Sequence, residues 1–276
     1  MNKFNSINHL LKHYSSVLLD SPEVNARNSK QKEVIFQSFE ISDPTRINVT
    51  LPERKFNKNY AIAEWMWYLS ANSSSLNIGK LAKIWKMISD QFCEVESNYG
   101  VYLKPQWNWV KNEIIIDRDT RRATFVINQP YHKFKNSKDY PCTHYIQFFV
   151  RDNKLHLGVN MRSNDLIFGL CNDVFTFSLF QQLMLNELNE TGMSLELGSY
   201  FHYAGSLHVY EKHYKMIESI NSSDFNVDKG LDTCRLNSNV NWKLINENFS
   251  FPIAEVEKAE IYDYVKNCSG EIFSDE

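Results

Sequence analysis

Between residues 145 and 188 the chain carries a pattern that few folds accommodate. Leu155, Leu157, Val159 and Met161 alternate with His156, Gly158, Asn160 and Arg162, the two-residue period of a strand with one face in a core. Asp152-Asn153 just before it makes a hairpin turn, with residues 145–150 as the other arm. The alternation then stops. Residues 173–188 are apolar on nearly every side, which predicts a long helix buried in a core rather than laid on a surface. A hairpin leading into a buried helix calls for a sheet with a helix packed on its face.

The rest of the chain fits that demand. Residues 33–41, 123–128 and 199–204 read as further strands. Helical spacing appears over 3–19 (Phe4, Ile7, Leu10, Leu11, Tyr14), 60–70, 80–92 and 208–217. Strands with segregated helices predict an α+β fold. With 276 residues, 43% of them hydrophobic, there is material for one large core. No repeat, linker or low-complexity stretch divides the chain, so a single domain over 1–276 is expected. The net charge is −3 with both signs mixed, which argues against nucleic acid as a partner. The N-terminus lacks the apolar segment of a secretion signal, and no run suits a membrane span. Five scattered cysteines without a CxxC pair fit a reduced, cytoplasmic setting and suggest no metal. There is no phosphate-binding glycine loop or dinucleotide fingerprint.

A few polar residues stand out against this background. Cys142 precedes one arm of the hairpin and Arg162 ends the other, so pairing of the arms would bring them together. A guanidinium nearby would favour the thiolate; an inert buried thiol is the alternative reading. Glu64 is the single acid in an apolar, aromatic helix, a costly placement without a partner or a task. Asn172-Asp173 stands where the buried helix begins and reads locally as a helix cap. His208 and Tyr210 are two residues apart, on one side if that segment is extended. His208 taken alone reads as structural.

These residues belong to longer motifs. Asn160-Met161-Arg162-Ser163-Asn164-Asp165, Gly169-Leu170-Cys171-Asn172-Asp173, Pro141-Cys142, Ser97-Asn98-Tyr99-Gly100 and Gly205-Ser206-Leu207-His208-Val209-Tyr210 together resemble the thymidylate synthase family. So does the Glu-x-x-Trp-x-Leu pattern of Glu64, Trp67 and Leu69. The resemblance runs from Arg27 to about Tyr214 and leaves 220–276 unmatched. It implies a large mixed sheet flanked by helices, with two such sheets back to back in a homodimer. It implies that Cys142 is the nucleophile that adds to C6 of a pyrimidine nucleotide. Glu64 and Tyr99 would serve proton transfer around the base. Arg162, Ser163 and Arg27 would hold the phosphate, joined by Arg121 and Arg122 from the other subunit. Asp165, His208 and Tyr210 would complete the substrate site, His208 and Tyr210 through the sugar hydroxyl. Ile84, Trp85, Asp165 and Gly169 would line the pocket for 5,10-methylenetetrahydrofolate.

Within the family the phage-type deoxycytidylate hydroxymethylases are the branch most resembled. Thymidylate synthases carry Asn where Asp173 stands. Asn satisfies the N3–H donor and O4 acceptor of uracil, whereas a carboxyl suits the N3 acceptor and N4 donor of cytosine. A slip of one residue would put Asn172 in that place and favour uracil; counting from Arg162 without a gap puts Asp173 there. Thr143 replaces the His that usually follows the nucleophile, and 268–276 lacks the small apolar tail that closes over the folate. Both departures point away from a plain synthase, toward addition of water to the one-carbon unit. The resemblance leaves ribose against deoxyribose open, and leaves a dCMP C5-methyltransferase or a dUMP-directed enzyme as alternatives.

Overall fold

The computed structural model describes residues 1–26, 28–227, 233–252 and 254–274. The hairpin forms as its pattern requires. Strand β5 (Thr143–Arg151) pairs antiparallel with β6 (Lys154–Met161) through Asp152 and Asn153, both at positive φ (50° and 61°). That is the turn whose twist matches the strands, and Asn and Asp tolerate it better than other side-chain-bearing residues. Ile146, Phe148, Val150, Leu155, Leu157, Val159 and Met161 all face inward and are buried.

Around this hairpin the chain builds one mixed sheet. In chain order its other strands are β1 (Asn2–Phe4), β2 (Glu23–Ala26), β3 (Ser29–Ile41), β4 (Thr124–Val126), β7 (Asn164–Asp165) and β8 (Glu196–Tyr210). The main path is β1-β3-β8-β6-β5-β4, with β2 added to β3 and β7 to β8. Strand β8 lies antiparallel to β3 and parallel to β6 and β7.

The helices are α1 (Ile7–Leu19), α2 (Lys58–Ser70), α3 (Ile78–Leu81), α4 (Lys83–Ile88), α5 (Gly100–Ile116), α6 (Gly169–Glu190), α7 (Tyr214–Ser222), α8 (Trp242–Asn248) and α9 (Lys258–Ile272). Helix α6 is buried on most of its circumference, and α2 is buried from Ala61 to Leu69. They bring the chain's densest apolar surface onto the inner sheet face. Gln181 of α6 ties helix to sheet by donating to the carbonyls of Leu155 and Gly198 (2.9 and 3.0 Å). Beyond residue 220, Trp242 of α8 donates its indole N–H to the Leu69 carbonyl (2.9 Å), and a short pair, β9 (Arg235–Leu236) with β10 (Phe273–Ser274), joins the C-terminal end. Among the described residues no helix is long and apolar enough to cross a membrane, and no cluster of His, Cys, Asp and Glu could hold a metal ion.

Four local expectations are corrected. Residues 2–4 form a parallel strand on Phe39–Ile41, and the first helix starts only after Ser6, whose hydroxyl caps it by accepting from the His9 amide. The helix expected over 80–92 is two short ones broken at Ala82, which is extended (φ −134°, ψ 114°). Residues 208–210 are strand, because pairing of Glu33 with His208 and Gln31 with Tyr210 carries β8 on to the edge; α7 begins at Tyr214. The strand expected over 33–41 starts earlier, since β3 already begins at Ser29.

Candidate active site

Pairing of the hairpin brings Cys142 to Arg162. Thr143 sits opposite Met161, and the Arg162 amide donates to the Cys142 carbonyl (2.9 Å). The guanidinium then grips the segment before the cysteine. Nη2 donates to the Tyr140 carbonyl (2.8 Å) and Nε to that of Pro141 (3.2 Å), with the group 5.1 Å from the Tyr140 ring centre. Arg162 therefore positions the segment that carries Cys142 as well as presenting a positive charge, a double role the motif did not disclose. Ser163 beside it is partly exposed. Cys142 is half-buried and not in a disulfide.

Two carboxyls face this corner from the helices. Glu64 is buried, accepts from the Tyr60 hydroxyl (2.6 Å), and Tyr60 in turn accepts from the Trp85 indole (3.0 Å). Desolvation pushes the Glu64 carboxyl up to about 8, opposed by the Tyr60 hydrogen bond and aided by the charge of Asp173. Asp173 lies in the second turn of α6, four residues past its start, so it is not the helix cap. It is only partly enclosed by residue exposure, yet desolvation raises its carboxyl to about 7, opposed by a hydrogen bond from Asn164 (2.7 Å). At neutral pH both acids thus sit near the range useful for proton transfer.

Tyr99 closes the group. Its ring stacks between Tyr68 (5.1 Å) and Phe177 (5.6 Å). Burial first, then the charges of Asp173 and Cys142, hold its hydroxyl in the protonated form. The segment carrying Tyr99 is fixed to the segment carrying Cys142 by Asp139, which accepts from the Ser97 amide (2.7 Å) and hydroxyl (2.6 Å).

Asp165 pairs with His208 across β7 and β8, and its Oδ2 accepts from the amides of Phe168 (2.8 Å) and Gly169 (3.4 Å). His208 is buried and Tyr210 half-buried, their rings edge to face at 5.0 Å. Gly169 matters for space: a Cβ there would come within 3.2 Å of Asn164 Nδ2 and 3.7 Å of Asp173 Oδ2. Trp85 is buried against Trp67 (4.8 Å), whereas Ile84 is half-exposed. Arg121 and Arg122 lie exposed in the connection between α5 and β4. Arg122 reaches Glu113 (3.4 Å) and the face of Trp109 (5.8 Å). Among the described residues no hydrogen bond joins either arginine to the Cys142–Arg162 group of the same protomer. Arg27 lies outside the described residues.

Tyr60, Asn164 and Asp139 were not singled out from sequence. Only Tyr60 had a readable signal: it stands four residues before Glu64 on one helix, the spacing at which side chains meet.

The raised Glu64 carboxyl has a measurable consequence. A carboxyl whose folded pKa exceeds its unfolded value stabilises the fold below the unfolded pKa, and that contribution is lost as pH rises to the folded one. For Glu64 the window runs from about 4.5 to about 8. Glu64→Gln should therefore gain on the natural protein in melting temperature as pH rises from 5 to 8, at roughly 2–4 °C per kcal/mol. Turnover should fall about 10²- to 10⁴-fold. A melting difference independent of pH would contradict the assigned burial.

The sequence model of the family described as Thymidylate synthase matches residues 11–265. The chain is 29% identical over 201 residues to the deoxycytidylate 5-hydroxymethyltransferase of Enterobacteria phage T4, covering 68% of this chain and 79% of that one. It is 30% identical over 226 residues to the deoxyuridylate hydroxymethyltransferase of Bacillus phage SP01, covering 75% and 58%. It is 29% identical over 169 residues to the thymidylate synthase of Fusobacterium nucleatum, covering 58% and 59%. The chain belongs to the thymidylate synthase family and is a folate-dependent one-carbon transferase.

Proposed function

We propose that this member of the thymidylate synthase family converts dCMP to 5-hydroxymethyl-dCMP with 5,10-methylenetetrahydrofolate. The observation that carries this reading is Asp173, a carboxyl with a raised pKa in the group that also holds Cys142, Glu64 and Tyr99. Protonated, it donates to cytosine N3 and accepts from the N4 amino group. The phage T4 relative, named for deoxycytidylate, supports the same base.

The residues have distinct tasks in this reading. Arg162 and Ser163 bind the phosphate, with Arg27 as a further phosphate ligand. His208, Tyr210 and Asp165 orient the nucleoside. The Cys142 thiolate adds to C6, and the electron pair moved to C5 makes that carbon a nucleophile. The folate supplies a one-carbon unit at the oxidation level of formaldehyde. Trp85 and Ile84 would hold its ring system, with Gly169 and Asp165, whose buried Oδ1 has no hydrogen-bond partner among the described residues. Once C5 carries the carbon, Tyr99 and Glu64 serve removal of the C5 proton; the bond from that carbon to the folate nitrogen breaks, tetrahydrofolate leaves as the amine, and an exocyclic methylene remains on the pyrimidine. Water adds to the methylene carbon, the ring double bond re-forms, and Cys142 leaves from C6. Atoms balance as dCMP, methylenetetrahydrofolate and water giving 5-hydroxymethyl-dCMP and tetrahydrofolate.

The test is mass spectrometry of dCMP, CMP and dUMP, each incubated with the protein and methylenetetrahydrofolate. A gain of CH2O on dCMP is expected. A gain of CH2 would mean a reductive methyltransferase. Modification of dUMP alone, the reading that the phage SP01 relative favours, would overturn the base assignment.

The proposed assembly is a homodimer of back-to-back sheets in which Arg121 and Arg122 serve the neighbour's phosphate. Its support is the outer sheet face, where Tyr145, Phe149, Phe201 and Tyr203 are half-buried or exposed around Gly158. A Cys142→Ser protein mixed with an Arg121→Ala, Arg122→Ala protein tests it. If the arginines act across the interface, each mixed dimer holds one intact site, and about a quarter of natural activity should return. No recovery, with subunit exchange verified, would place the arginines within their own subunit.

A further inference from the structure

Resting on the dCMP reading, we propose that Asn164 is a specificity-determining residue, fixing the direction in which Asp173 reads the base. The difficulty it resolves is chemical. A neutral carboxyl is ambivalent: with the proton on one oxygen it presents donor and acceptor in the order cytosine needs, and with the proton on the other it presents the order uracil needs. Being protonated is therefore not enough to exclude uracil.

Asn164 removes the ambivalence. It is buried, and its Nδ2 donates to Asp173 Oδ2 at 2.7 Å, the length of a strong hydrogen bond. An oxygen already accepting that bond is the poorer place for the proton, so the proton resides on Oδ1. For cytosine as substrate, Oδ1 then faces N3 and Oδ2 accepts from N4. The reversed form, which would suit uracil, weakens the Asn164 bond. Two further observations support a dedicated pair. The Asn164 side chain makes no other hydrogen bond among the described residues, its buried Oδ1 being without a partner. Gly169, on the next turn of chain, leaves room for the two side chains to meet, as the distances of its missing Cβ show. The orphaned Oδ1 also means that the amide can turn over at little cost. If an amide replaces the carboxyl at 173, Asn164 then accepts instead of donating, and supports the opposite reading.

The experiment compares kcat/KM for dCMP and dUMP in the natural protein and in Asn164→Leu, which keeps the volume and removes the donor. The dCMP preference is expected to fall about 10- to 100-fold, the range set by one hydrogen bond to an ionisable partner. The pH at which dCMP binding is lost should also rise, because the bond that lowers the Asp173 pKa is gone. Equal losses on both nucleotides, with the ratio and the pH profile unmoved, would overturn the proposal and leave Asn164 as packing. Asn164→Ser, smaller and still polar, answers the same question if the leucine variant does not fold. Asp173→Asn run beside them separates the two levels. If it shifts preference toward dUMP while Asn164→Leu leaves the ratio alone, only the role of Asn164 fails. If it shifts nothing, the base reading itself fails.

Discussion

Cys142→Ser is expected to lower turnover of dCMP by about 10³-fold or more while nucleotide binding stays within a few-fold. A serine hydroxyl ionises too weakly near neutral pH to replace a thiolate at an uncharged ring carbon. The substitution nearly keeps volume, and backbone contacts hold the segment on either side of the residue. The Arg162 amide bonds the carbonyl of residue 142, and the guanidinium bonds those of Tyr140 and Pro141. The loop should hold its shape. The sharper measurement is release of hydrogen from C5 of the nucleotide, which requires only addition at C6 and loss of the C5 proton. That exchange should vanish with turnover. Near-normal turnover by Cys142→Ser would remove covalent addition from the mechanism.

The central hairpin and the buried helix were legible because each obeys a single period over a long stretch. Leu155 to Met161 can satisfy its alternation only as a strand with one face inside, and the meeting of Cys142 with Arg162 follows from pairing the arms. Where a segment is short or its partner distant, the local pattern did not suffice. Asn2–Phe4 is too brief to show a period, and it becomes a strand only because Phe39–Ile41 lies alongside. The break at Ala82 leaves no mark in residue type; it turns Trp85 inward onto Tyr60 and Trp67. Helix α5 was not read at all, because Pro105 interrupts it early and its apolar stripe is uneven.

The same division holds at the site. The residues of the motifs were named, but the bonds between them were not: Tyr60 on Glu64, Asn164 on Asp173, Asp139 on Ser97, Arg162 on the carbonyls before Cys142. Those supporting bonds come from several chain segments, and only folding brings them together. Burial raises the Glu64 and Asp173 carboxyls and the bonds from Tyr60 and Asn164 temper it, which no motif states. The charge of Asp173 adds to the desolvation that raises the Glu64 carboxyl, so an ionised Asp173 opposes ionisation of Glu64.

In the dCMP reading, Asp173→Asn gives the largest change in specificity. In that reading the natural carboxyl presents a donor to N3 and an acceptor to N4 of cytosine. An amide at 173 that turns its carbonyl toward N3 and its N–H toward O4 matches uracil, and Asn164, with its amide turned over, can accept from the other N–H. Cytosine would then set N3 against a carbonyl and N4–H against an N–H, two repulsive contacts in a closed site. The ratio of kcat/KM for dUMP over dCMP should rise about 10³- to 10⁴-fold, below the 10⁴–10⁵ reached by sites evolved around such pairing. Loss of the acid should also lower the pH at which Glu64 ionises, since the Asp173 charge helps raise it. The activity that remains on dUMP should therefore have its pH profile displaced toward acid. A variant that stays selective for dCMP would show that residue 173 does not touch the base, and would move the choice of pyrimidine to another residue.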